Sequence, residues 1–324
     1  MIETKTQGIT GGTLKIIAIT AMLLDHTGWC IVDPILLKQG ISVASILAPL
    51  RSISQEPVLC LLSPALHIIG RITFPIMLFL LVEGFTHTRS VRKYLRNMLI
   101  FAVASEIPFN LAFRKKVFFP EDIFGLADFQ NTFVTLSACL IALILIKKIT
   151  SLSKLTGMLK YLSFFGPILF TVITVWHYLI KNRKYIRPLQ VNYTLILVIS
   201  GVILAVYFVI SRKWEKEKRN KINLCLLAVV GLAFATKMLN TDYGYIGVLA
   251  ASLMYILREN RELSYFAGCA VLTGSEYVEA GALIALPLIS AYNGKRGIKI
   301  KYFFYFFYPA HLLVLWLIRI IFKI

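Results

Sequence analysis

Residues 13–33 read TLKIIAITAMLLDHTGWCIVD, and this stretch decides the fold. Its only charged side chains are Lys15, Asp25 and Asp33. An apolar run of about 20 residues, wound as a helix, crosses the hydrocarbon core of a bilayer. Comparable runs recur at 64–86, 93–113, 130–149, 158–180, 190–211, 221–239, 243–257, 264–292 and 301–323. The run at 264–292 is long for one helix and carries Glu276 and Glu279. It reads either as one tilted helix or as two short ones turning at Gly274-Ser275-Glu276. The expected fold is therefore all-α, a polytopic transmembrane helical bundle of 10–11 helices. Residues 34–63, with Pro34, Pro49 and Pro57, read as a loop insertion with short interfacial helices. The 324 residues are expected to form a single membrane domain.

The whole chain agrees with its first span. Hydrophobic residues make up 58% and charged residues 16%, against about 45–50% and about 25% in soluble domains. Such a surface has to face lipid. The runs are continuously apolar rather than alternating, which excludes a transmembrane β-barrel. The net charge of +19 would suggest nucleic acid in a soluble protein. Here the Lys and Arg residues flank spans and set their orientation, so no nucleic-acid partner is expected. Basic rims also attract phosphorylated ligands and anionic lipids. Arg89, Arg92 and Lys93, then Lys147, Lys148 and Lys154, then the 212–221 run favour an N-terminus on the cytoplasmic side. Arg114-Lys115-Lys116 and Lys181, Arg183, Lys184 and Arg187 then fall on the other side. The Lys295-Arg296 turn falls outside with ten spans and inside with eleven. The five cysteines form no CxxC pair, so neither a disulfide framework nor a metal site is expected. The first span lacks a small-residue cleavage site and is expected to be retained.

Charged side chains within spans cost on the order of 2.5–3.5 kcal/mol each on insertion scales, which makes them functional candidates. In the first span, ten residues lie between Lys15 and His26, an axial separation of about 16 Å on a helix. A neutral imidazole in mid-span suits a general base. Asp25 points about 100° away from its neighbour His26, so it can serve an adjacent helix instead. Polar pairs of this kind also stabilise packing through interhelical hydrogen bonds. In the second span, Pro75 should kink the helix, Arg71 lies before it, and Glu83 is one turn from His87. His87, Arg89, Arg92 and Lys93 form a basic rim that suits either a phosphorylated donor or interfacial anchoring. Glu106 in the third span and His311 in the last complete the set, with core hydrogen bonding as the plainer role for His311. No Walker loop, GxSxG elbow, HExxH or voltage-sensing Arg repeat is present.

An ordered set of short motifs resembles the TraX family. They are Asp25-His26-Thr27-Gly28, Gly70-Arg71-x-x-Phe74-Pro75, Glu83-Gly84-Phe85-x-His87-Thr88 and Ser105-Glu106-x-Pro108-Phe109. Asp242-Tyr243-Gly244, Tyr292-Asn293-Gly294-Lys295-Arg296-Gly297 and Phe304-Tyr305-x-Phe307-Tyr308-Pro309-x-His311-Leu312 follow. The 34–63 and 150–220 regions depart from compact members. The resemblance implies a membrane protein tied to N-terminal acetylation of pilin, related to membrane acyltransferases that use acyl-CoA. In those relatives a basic residue and a His share the spacing of Lys15 and His26, with Lys here where Arg is usual. By that analogy His26 is the catalytic base or acyl carrier, and Lys15 lies near the donor.

The expected activity is acetyl transfer from acetyl-CoA to an amine or hydroxyl of a peptide, pilin-like protein or glycan, in a bacterial plasma membrane. Asp25, His26, Arg71 and His311 are the catalytic candidates. Lys15, Glu83, His87, Arg89, Arg92, Lys295 and Arg296 are the donor-binding candidates. A proton- or ion-coupled transporter built on the buried Asp, Glu and His residues is the competing reading. A non-catalytic assembly factor is the third.

Overall fold

In the computed structural model, residues 8–114, 130–181, 193–275, 277–298 and 301–324 are described. Among them the chain is helical, with isolated bridges rather than strands. The helices are α1 Gly11–Thr27, α2 Asp33–Lys38, α3 Pro57–Gly70, α4 Thr73–His87, α5 Val91–Arg114, α6 Thr132–Ser151 and α7 Gly157–Lys181. There follow α8 Tyr193–Ser211, α9 Lys216–Met238, α10 Gly244–Ile256, α11 Arg261–Ser275, α12 Leu286–Ser290 and α13 Lys301–Ile321. Every expected span overlies one or more of these helices. Among the described residues, six helical stretches are long and apolar enough to cross a membrane: Gly11–Lys38, Pro57–His87, Thr132–Ser151, Gly157–Val175, Lys216–Met238 and Phe303–Ile321. The protein is a polytopic membrane bundle.

Two interruptions shape the first spans. Between α1 and α2, residues Gly28–Val32 form a π-helical turn. The long helix at 57–87 is broken at Arg71-Ile72, four residues ahead of Pro75. Pro75 has no N–H to offer the Arg71 carbonyl, and its ring crowds that carbonyl. The 34–63 segment is helical at both ends, in α2 and the start of α3, with a 3-10 turn at Ala48–Ser52 between them.

The 264–292 stretch is two elements. Helix α11 ends at Ser275, and the chain returns through a 3-10 helix, Tyr277–Ala285, and α12. Glu276 lies outside the described residues. The Tyr265 hydroxyl donates to the Ala282 carbonyl at 2.9 Å across this hairpin. At its mouth Arg261 donates to the Tyr292 carbonyl at 3.2 Å. The hairpin therefore leaves the bundle at the end where it entered. The next loop then meets the start of α1: Gly11 and Gly12 donate to the Lys295 and Arg296 carbonyls, each at 2.9 Å. A Cβ on Gly12 would lie 2.9 Å from the Ile298 nitrogen, so only glycine allows this approach. The Lys295-Arg296 turn is on the same end as the start of α1, as the eleven-segment expectation required.

Contacts divide the chain into two compact units. One comprises Met1–Leu140 and Thr236–Ile324, and it holds every candidate site residue. The other is Ile141–Ala235. Its core includes Ile149, Leu155 and Leu224, and the Glu217 carboxylate accepts from the Leu155 N–H at 2.5 Å. Lys115, Lys116, Arg183, Lys184 and Arg187 lie outside the described residues.

Candidate active site

Helices α1 and α13 run side by side, a polar stripe on α1 facing an aromatic and histidine stripe on α13. On α1 the stripe carries Lys15 and His26. On α13 Phe304, Tyr308 and His311 are spaced to share a face. The Lys15 ammonium sits over the Phe304 ring, 5.4 Å from its centroid. Further along, His26 Nδ1 and His311 Nε2 are 2.7 Å apart. His311 Nδ1 lies 2.8 Å from the Phe307 carbonyl. A carbonyl only accepts, so His311 carries its hydrogen on Nδ1. With both rings neutral, His311 Nε2 then accepts from His26 Nδ1–H. That leaves the lone pair on His26 Nε2. Phe113 and Tyr308 pack edge-on against His26, with ring centroids at 5.1 and 6.4 Å. His311 is 5% exposed, so its orientation is held by packing as well as by hydrogen bonds.

Asp25 does not join this pair. Its Oδ1 is 2.7 Å from His67 Nδ1, and Arg71 donates to it at 3.4 Å. His67 Nε2 faces Asp33 Oδ2 at 3.1 Å, and Ser63 donates to the other Asp33 oxygen at 2.7 Å. Arg71 also donates to Glu279 at 2.6 Å. These groups form one chain: Ser63, Asp33, His67 and Glu279 are buried, and Asp25 and Arg71 between them are partly buried. Both nitrogens of His67 face carboxylates, so the two His67 contacts are both satisfied only if the trio carries one extra proton. The π turn makes the clamp possible. Eight regular helical steps would leave Asp33 about 80° around α1 from Asp25. The wider i→i+5 turn advances fewer degrees per residue and brings both carboxylates onto His67. Close approach of α1 and α3 depends on two glycines. A Cβ on Gly28 would lie 2.8 Å from His67 Cε1, and one on Gly70 2.4 Å from Asp25 Cβ.

Near the start of α1 lies a cavity of ≈ 700 Å³, within the range of about 300–1,000 Å³ usual for ligand pockets. Five of the seven donor-binding candidates, Lys15, Glu83, His87, Arg89 and Arg296, line it, and Lys93 adds a further cation. Arg92 and Lys295 are exposed and lie off its wall. Phe133 connects the cavity to the histidines: it lines the wall and packs edge-on against Tyr308 at 5.1 Å. The expected Glu83–His87 side-chain contact is replaced by a local one, since His87 Nδ1 lies 2.9 Å from the Glu83 backbone carbonyl. Instead Glu83 meets the Tyr292 hydroxyl, and burial together with that carboxylate pushes the Tyr292 phenol up to about 12. The phenol stays protonated.

Glu106 serves the scaffold. Its carboxylate accepts from the Asn131 side chain at 2.5 Å and the Asn131 N–H at 3.4 Å, ahead of α6. Asp242 accepts from Thr132 at 2.5 Å, and Tyr308 donates to Thr132 at 3.5 Å. Sequence reasoning did not single out His67 or the Thr132–Asp242 contact. His67 sits in the apolar run LCLLSPALHIIG, three residues ahead of the Gly70-Arg71 motif, and its available signals were that proximity and a histidine in a span.

A family model described as TraX protein matches residues 10–200 and 169–319 of this chain. A probable fimbrial assembly protein FimC, serogroup H1, from Dichelobacter nodosus is 25% identical over 304 residues. The match covers 93% of this chain and 92% of that protein. No solved structure matches.

Proposed function

This chain belongs to the TraX family, and on that premise we propose that it is a membrane-embedded acetyltransferase acting in fimbrial or pilus assembly. The acetyl group comes from acetyl-CoA. The acceptor is an amine or hydroxyl, with the N-terminus of a pilin-like protein favoured over a glycan by the fimbrial relative. The protein sits in a bacterial plasma membrane with its N-terminus, the cavity and the donor on the cytoplasmic side.

The observation that carries this reading is the His26–His311 pair at 2.7 Å. It supplies a basic nitrogen whose tautomer is held by a second ring, the role a carboxylate plays in better-known hydrolytic triads. His26 Nε2 takes the proton of the acceptor, whose lone pair attacks the thioester carbonyl. The C–S bond breaks, and the proton passes from His26 to the departing thiolate. In the alternative route His26 Nε2 itself displaces the thiolate to give acetyl-His26; the acceptor then attacks that acyl group, the His26–acyl bond breaks, and the acceptor's proton ends on the thiolate. The four cations around the cavity match the donor's phosphates. The aromatic seam from Phe304 to Tyr308 gives its acyl arm an apolar path towards His26.

The test uses purified protein in nanodiscs, radiolabelled acetyl-CoA and a peptide with a free or blocked N-terminus. Label should pass to the free peptide, and His26→Ala should reduce transfer by about 10²–10⁴-fold. Undiminished transfer in that variant sinks the assignment. One observation favours proton-coupled transport: the chain of ionisable side chains from Asp33 to Glu279. Solute uptake by proteoliposomes without acetyl-CoA would support that reading instead.

A further inference from the structure

A second cavity, of ≈ 640 Å³, adjoins the first. The two share Glu83, His87 and Tyr292 in their walls. Its other side is formed around Arg258 and Arg261, at the mouth of the α11 hairpin. Each guanidinium lies over a tyrosine ring and donates to a backbone carbonyl. Arg258 is 4.4 Å from the Tyr255 centroid and 2.8 Å from its carbonyl; Arg261 is 5.1 Å from Tyr292 and 3.2 Å from its carbonyl. Five N–H groups on each guanidinium leave donors to spare for a phosphate. The nearby carboxylates offset little of this charge. Glu259 is 88% exposed beside Arg258, and Glu262 is exposed as well, so water screens both.

The shared wall carries a separate sign of a ligand. Glu83 Oε2 is buried and has no hydrogen-bond partner among the described residues. A buried carboxylate oxygen left unmet costs free energy, so a hydrogen-bond donor belongs against it. An adenine amino group or a ribose hydroxyl is such a donor.

The order of the parts follows from the chemistry of a linear donor. Its acyl end has to reach His26 along the α1–α13 seam. Its pyrophosphate matches the cavity with Lys15, Arg89, Lys93 and Arg296. Its remaining end then has to leave that cavity away from His26, across Glu83. The geometry points to the second cavity as the seat of the donor's 3′-phosphorylated adenosine, with Arg258 and Arg261 holding the 3′-phosphate and Glu83 the nucleoside. This inference rests on acetyl-CoA being the donor, and it assigns Arg258 and Arg261 a binding role.

The experiment measures equilibrium binding of CoA and of 3′-dephospho-CoA to the full chain in nanodiscs. Arg258→Gln and Arg261→Gln keep an N–H for the carbonyl contacts while removing charge. Wild type should bind CoA about tenfold more tightly than dephospho-CoA, the weight of a charged hydrogen bond. Each Gln variant should lose most of that preference while binding dephospho-CoA as wild type does. Lys15→Ala should weaken both ligands equally. A preference that survives in both Gln variants, or equal binding of the two ligands by wild type, overturns the second-cavity assignment and leaves the acetyltransferase reading standing. Failure of wild type to bind either ligand overturns both.

Discussion

His26 and His311 come from opposite ends of the chain and meet at 2.7 Å, and the chemistry depends on that pairing at the level of single atoms. His311→Phe should reduce acetyl transfer by about 10-fold or more, because His26 then loses the group that holds its tautomer. His311→Gln, which can accept from His26, should retain more activity than His311→Phe; equal losses would show that His311 acts by packing alone. Arg71 has a different role. It sits between Asp25 and Glu279, so Arg71→Met leaves buried carboxylates without their cation. Breaking a buried pair in this way costs roughly 3–5 kcal/mol. A thermal unfolding series in detergent should place Arg71→Met well below Glu279→Gln, which still accepts from the guanidinium. Similar loss in both would remove Arg71 from the centre of the network.

Among the elements, the π turn at Gly28–Val32 links the catalytic candidate to its support. Its wide turn accommodates one residue more than a regular helix would need to align Asp25 with Asp33. Deleting Ile31 should restore a regular helix with the carboxylates seven residues apart, about 20° from alignment, and both should still reach His67. Inserting an alanine after Ile31 should swing Asp33 away and lower the unfolding temperature. If the insertion is tolerated and the deletion is not, the π turn has another purpose. The α1–α3 contact is equally specific. Gly70→Ala drives a methyl group to 2.4 Å from Asp25 Cβ, and overpacking of this kind costs about 1–3 kcal/mol. That loss should appear as a lower unfolding temperature.

At the scale of the whole molecule, the hairpin at 261–290 returns to the end of the bundle where α1 begins, while Lys38 meets the Lys323 carbonyl at the other end. Membrane-impermeant thiol labelling should therefore modify Thr10→Cys and Lys295→Cys from one side and Lys38→Cys and Lys323→Cys from the other. The native cysteines leave a low background, four being buried and Cys225 half-buried. Labelling of position 295 from the Lys38 side would refute this topology. Much of this was legible in one dimension. Continuous apolar runs specify lipid-facing helices because an unmet backbone group in hydrocarbon is costly, and period and length alone locate them. The rarity of ionisable groups in such runs marked His26, His311, Asp25 and Arg71 as candidates, and the basic rim marked several of the cations on the cavity wall. Their partners were another matter. Whether Asp25 serves His26 or His67, whether Glu83 meets His87 or Tyr292, and which end of the bundle holds Lys295 depend on which helices lie together and how each is rotated. Hydropathy is blind to that rotation. It is decided by glycines that let helices approach, by a π turn and a proline break that redirect side chains, and by hydrogen bonds between residues as much as 285 positions apart.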